Sequence, residues 1–215
     1  MQEYRDLFIG ISIHLVHIID KKRQQAMNRQ CRLSRVTTVY LETYEGILSE
    51  MIQGMTEAEL TGSISDNFIV QMIPHHRAAI EMSGNILKYT TCIPLQEIAL
   101  GIISEQMKSI ENMQQIQCQC GKFGNSEQEL CHYQNRVNQI MQRMFCDMGN
   151  ARVTNQVNCD FMWEMIPHHR GAVEMSKNAL RYHICPELRP ILEAIITSQE
   201  RGIRQMCHLL RCMGC

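Results

Sequence analysis

The 215-residue sequence predicts an all-α protein, a ferritin-like helical bundle of two three-helix repeats related by a pseudo-twofold axis, plus one N-terminal helix. Three observations predict it. The stretch MIPHHRAAIEM at residues 72–82 returns at 165–175 as MIPHHRGAVEM with two conservative changes, which marks an internal duplication. Only 5 Pro and 12 Gly stand against 16 Met, a composition that favours helices over turn-rich folds. Apolar residues recur at helical spacing along the chain, and three helices with wide apolar stripes seldom bury them alone, so the two copies are expected to pack together.

Residues 3–30 form the expected N-terminal helix, with Leu7, Ile11, His14 and Ile18 on one stripe. It has no counterpart in the repeat and is expected to cap the bundle or to mediate a homodimer. Its apolar run at 7–20 falls short of the about 20 residues that cross a bilayer. Lys21, Lys22 and Arg23 follow that run, whereas a secretory signal carries its positive charges first. A cytoplasmic protein without a membrane span is expected, and an extracytoplasmic one only if a leader had been removed.

Sliding the sequence against itself by 93 positions extends the duplication far beyond the motif. Tyr40 meets Tyr133, Met51 meets Met144, Phe68 meets Phe161, Cys92 meets Cys185, Gln106 meets Gln199 and Met113 meets Met206, without a gap. The division expected is 1–33 for the N-terminal helix, 34–120 for the first repeat and 127–215 for the second. Within each copy the first helix is expected at 35–55 and 128–149. The second follows the N-cap types Ser65 or Asp66, and Asn158 to Asp160, and runs to Tyr89 and Tyr182. The third starts near Pro94 and Pro186, as a proline suits a first helical turn. Gly121 to Ser126 reads as the linker.

Lys plus Arg number 21 and Asp plus Glu 22, so the net charge is −1 and no basic field draws in nucleic acid. No phosphate-binding loop, nucleophile–base arrangement or paired carboxylates stand out, and no catalytic residue is assigned. The chemistry lies in the repeated motif. On a helical wheel Met72, His75, Ala79 and Met82 share one face, His76 sits at its edge, and Arg77 and Glu81 point away. The third helix offers Gln106, Ile110 and Met113 at matching spacing. Imidazole and thioether are borderline and soft ligands, so a copper site is expected from Met72, His75, His76, Met82 and Met113. Its copy would use Met165, His168, His169, Met175 and Met206. For any single Met or His the bland alternative is a packed core residue. The adjacent histidine pair, retained in both copies while neighbours changed, favours function.

The pattern F-x3-M-x2-HH-x2-A-x2-M, then Q-x3-I-x2-M some two dozen residues on, resembles the domain-of-unknown-function 305 family. Its residues are Phe68, Met72, His75, His76, Ala79, Met82, Gln106, Ile110 and Met113, then Phe161, Met165, His168, His169, Ala172, Met175, Gln199, Ile203 and Met206. The resemblance implies a ferritin-like helical fold, and some members bind copper through Met and His and take part in copper resistance. The chain departs from the usual member in its tandem copies, its N-terminal helix and its cysteines.

Eleven cysteines, an odd number without a regular framework, read as reduced thiols rather than as a full disulfide set. Cys118 and Cys120 end the first copy, and Cys207, His208, Cys212 and Cys215 end the second. Together these six are candidates for copper, zinc or another transition metal, or for a disulfide. Cys92 and Cys185 read as packing residues, and Cys159 receives no role. The functions weighed are soft-metal sequestration, delivery or resistance; a non-catalytic structural or interaction module; and a ferritin-like di-metal enzyme. The last would need several inward carboxylates and Glu-x-x-His pairs that the motif lacks.

Overall fold

The computed structural model describes residues 33–215, so the expected N-terminal helix and its capping or dimerising role lie outside the described residues. Those residues form six helices and no strand: α1 Arg35–Thr56, α2 Ile64–Ile86, α3 Ile93–Cys120, α4 Glu127–Gly149, α5 Val157–Ala179 and α6 Leu188–Met213. None of the six is long and apolar enough to cross a membrane.

Local chemistry moves several helix boundaries from their expected places. Ser63, not Ser65 or Asp66, caps α2: its hydroxyl accepts from the Asp66 N–H and donates to the Cys120 carbonyl at 2.8 Å. The cap is thereby tied to the end of α3, and the helix starts earlier. In the second copy Asp160 turns back to accept from the Thr154 N–H at 3.0 Å, and α5 starts at Val157 without a side-chain cap. Pro94 lies in the first turn of α3, as expected. Pro186 instead precedes α6, whose N-cap is Glu187. Ser126 and Glu129 start α4 with a reciprocal capping box.

The two motif helices occupy the centre. α2 and α5 pack on one another; α1 and α3 flank α2, α4 and α6 flank α5, and α3 meets α6. Ser65 at the start of α2 accepts a hydrogen bond from the Cys185 N–H, beyond the end of α5, at 2.9 Å. The central pair therefore runs antiparallel. Met72, Met82, Met113, Met165, Met175 and Met206 are all buried in one core fed by all six helices. Several contacts recur 93 residues on: Asn85 Nδ2 donates to the Tyr40 carbonyl and Asn178 Nδ2 to that of Tyr133. The edge-to-face pairs Tyr40–Tyr89 and Tyr133–Tyr182 have ring centroids 5.9 and 5.7 Å apart.

The reduced-thiol expectation is corrected at four positions. Cys120 is bonded to Cys185 and Cys159 to Cys215. The first joins the end of α3 to the α5–α6 turn, and so fastens the two copies together. The second closes the chain's last residue onto the start of α5. Cys185 is thus a bridge rather than a packing residue, and Cys159 acquires a partner that repeat logic does not supply.

Candidate functional site

The site is built where α2 and α5 cross. The helical period carries His75 and His168 inward to meet face to face, with centroids 3.7 Å apart and planes inclined by 29°. Nε2 of His75 lies 3.2 Å from the His168 carbonyl, and Nε2 of His168 lies 3.1 Å from that of His75. A carbonyl oxygen only accepts, so each Nε2 carries the proton and each Nδ1 presents its lone pair. The reciprocity is the arrangement a twofold relation between the halves produces.

His76 and His169 point outward from this pair, each with its ring centroid 5.9 Å from that of its neighbour. Nε2 of His76 is 3.0 Å from the Ser109 hydroxyl. His169 faces Gly202 instead, where a Cβ would stand 2.9 Å from its ring. All four Nδ1 atoms are buried and meet no protein hydrogen-bonding group. The same holds for the Oε1 atoms of Gln106 and Gln199.

Burial dominates the electrostatics. Desolvation, helped by repulsion from neighbouring imidazoles, holds His75 and His169 well below the ordinary histidine range, and pushes His76 down to about 3. It lowers His168 to about 4, against a smaller opposing effect from its bond to the His75 carbonyl. Four neutral imidazoles, two of them stacked, are therefore buried inside the bundle at pH 7, the protonation state a metal ligand needs.

The motif stretches lie on helices, with Arg77 and Glu81 exposed as the wheel requires. Glu174 pairs with Arg136 and Arg143 of α4, at 3.5 and 3.7 Å, rather than with Arg170. Among the described residues no three His, Cys, Asp or Glu side chains stand close enough to hold one ion. Any third donor to an ion at the histidines would have to be a thioether, an amide or a backbone carbonyl. Met72 lies one turn before His75, and Met113 is buried on the flanking helix.

The six terminal candidates do not come together. Cys120 bonds beyond the C-terminal end of α5 and Cys215 at its N-terminal end, with the whole 23-residue helix between them. Cys118 and Cys212 are free and exposed, and Cys207 is free and half-buried. His208 and Cys212 form a local pair, Nε2 to Sγ 3.6 Å.

Sequence reasoning missed a buried carboxylate one turn before His168 on α5. Tyr40 donates to Glu164 at 2.6 Å, joining the first helix of one copy to the motif helix of the other. Burial raises the Glu164 carboxyl well above its usual range, and burial likewise lifts Asp160 to about 6. The repeat register was the available signal: Glu164 stands where the first copy has Gln71, and the hydroxyl of Tyr133, the copy of Tyr40, has no partner.

Fold and site together define an all-α bundle whose halves meet through a buried histidine pair from each central helix. The chain belongs to the family described as "Domain of unknown function (DUF305)", whose pattern matches residues 65–210. Its fold is similar to the crystal structure of a DUF305 fragment from Deinococcus radiodurans, with a TM-score of 0.50 and 22% identity, over 68% of this chain and 95% of that one. No curated protein matches the chain.

Proposed function

We propose that the protein binds a soft transition metal, copper(I) before zinc, at the crossing of α2 and α5, for sequestration or delivery. One observation carries this reading. The buried Nδ1 lone pairs of His75 and His168, fixed as acceptors by the Nε2–H bonds of the same rings, and the buried Oε1 atoms of Gln106 and Gln199 have no protein donor. Buried acceptors left unpaired are costly, and a Lewis-acidic cation relieves that cost. Thioethers bind copper(I) without losing a proton, and Met72, Met82, Met113 and their copies are buried on the motif helices and on the helices that flank them.

In this reading His75 and His168 bind through Nδ1, because their Nε2 protons are committed to carbonyls. Copper bound there would supply only charge and affinity; the chain's own residues exclude water and hold the rings in place. The ferritin-like di-metal alternative is less well supported: Glu81 is exposed, Glu174 pairs with surface arginines, and Glu164 accepts from Tyr40. Two disulfides favour an oxidising compartment over the expected cytoplasm.

The test counts bound copper(I) against a competing chelator, anaerobically and with the free thiols alkylated. Wild type should retain copper(I), and the variant with His75, His76, His168 and His169 replaced by Asn should lose it. Equal stoichiometry in the two proteins sinks the proposal. A purely structural role for the histidines predicts instead a destabilised variant and no binding by either.

A further inference from the structure

Two clefts open between α3 and α6, related by the same 93-residue register, and they are not equivalent. One, of about 640 Å³, reaches His76 past Ser109; the other, of about 310 Å³, reaches His169 past Gly202. Glu105 and Arg201 line both and are ion-paired with each other, so this bridge is the partition between them.

Three differences point the same way. Ser109 engages Nε2 of His76, whereas its counterpart Gly202 has no side chain to offer His169. His208 lines the smaller cleft, while its counterpart in the first copy is Gln115. His208 also stands 3.6 Å from Cys212, an exposed free thiol one turn on, which makes a two-ligand imidazole–thiol pair at the cleft. Formal charge differs too. The His169 cleft carries Glu97 and Glu105 against Arg201, a net −1; the His76 cleft carries Glu105 and Glu193 against Lys108 and Arg201, a net zero. The more acidic cleft is the better path for a cation.

We propose that the His169 cleft is the port through which a soft monovalent cation reaches the buried histidines, with Gly202 as the opening and His208 and Cys212 as its outer capture pair. This rests on the metal-binding reading above and adds that the duplicated site loads from one side. His169 receives the ion first, through Nε2, and His76 is shielded by its serine. The step is ligand exchange without oxidation: a hydrated cation sheds water for the His208 imidazole and the Cys212 thiolate, whose proton passes to solvent, and then leaves them for imidazole and thioether inside as the thiolate regains a proton from water.

The full chain is mixed with Ag(I), which shares the soft-ligand preference of copper(I) without its redox chemistry, and uptake is followed by stopped flow and native mass spectrometry. Gly202→Ser should slow loading by about tenfold. Replacing His208 and Cys212 by Ala should also slow it, and Ser109→Gly should speed it by opening the second cleft. A Gly202→Ser protein that loads at the wild-type rate overturns the port.

Gly202→Ser presses on the His169 ring, so a metal-free comparison guards against a variant that fails to fold. Diethyl pyrocarbonate should modify His169 of the wild type faster than His76, and Ser109→Gly should narrow the difference. Equal rates in the wild type overturn the port. If wild type takes up no Ag(I), the metal-binding reading fails, and the modification rates still decide whether the cleft is open.

Discussion

Nε2 of His75 donates to the backbone carbonyl of His168 at 3.2 Å, and Nε2 of His168 returns the bond to the carbonyl of His75 at 3.1 Å. Each ring is thus oriented by the opposite helix, and the two copies position each other's ligand candidate. Neither copy holds this geometry alone.

The first prediction concerns stability. His75→Ala or His168→Ala removes a buried ring and its bond across the crossing, and each should cost about 2–4 kcal/mol. The two rings stack on each other, so the double variant should cost less than the sum by about 1 kcal/mol or more. Denaturant unfolding of the four proteins in the cycle checks this, and strict additivity would contradict a shared contact.

Acidity should destabilise the protein from a definite pH. The histidines are depressed from 6.5, to about 3 for His76 and about 4 for His168, so below pH 6.5 the unfolded chain takes up protons that the folded one refuses. Their contribution is complete above pH 6.5 and is lost as pH falls toward the folded values. Asp160 and Glu164 work the other way: their raised values make the fold lose stability as pH rises from about 4, through about 6 for Asp160. Four histidines outweigh two carboxyls, so thermal midpoints should fall steadily from pH 6.5 to pH 5. A flat profile over that range would show that the imidazoles are not held neutral.

The carboxyl has its own test. Glu164→Gln restores the residue of the first copy and keeps an acceptor for Tyr40, yet removes a buried ionisable group. It should raise stability at pH 8 and change it little at pH 5. Tyr40→Phe leaves that carboxyl without its donor and should cost about 1–3 kcal/mol. Thermal melts of both variants at the two pH values read the result.

Reduction should loosen the molecule at both ends of α5. Cys120 and Cys185 are 65 residues apart in the chain, and chain entropy puts such a crosslink at about 4 kcal/mol. Alkylation without reductant, followed by peptide mass mapping, should label Cys118, Cys131, Cys146 and Cys212 and spare Cys120, Cys159, Cys185 and Cys215. Labelling of the last four in native protein would refute the bridges.

Much of this was legible in the sequence because it is periodic. The register of 93, the six helices, the inward faces of Met72, His75 and Met82, and the outward Arg77 and Glu81 all follow from spacing alone. What escaped depends on which surfaces meet. The reciprocal imidazole–carbonyl bonds require α2 and α5 to run antiparallel, and a wheel drawn for one helix holds no partner. His76, placed at the edge of the stripe, is fully buried because α3 covers that edge. The cysteines misled for the same reason: Cys118, Cys120 and the C-terminal group occupy similar positions in the repeat, but an antiparallel crossing sends such positions to opposite ends. Glu164, Ser109 and Gly202 sit where the copies differ, and only packing gave those differences a meaning.

The most direct test of the central claim is a copper(I) titration of the isotope-labelled protein, followed by long-range proton–nitrogen correlation of the imidazoles. Without metal, His75 and His168 should appear as neutral Nε2–H tautomers. Copper(I) should then move their Nδ1 resonances while the Nε2 protons stay in place. If saturating copper(I) leaves all four motif imidazoles unmoved, the crossing of α2 and α5 is not the metal site.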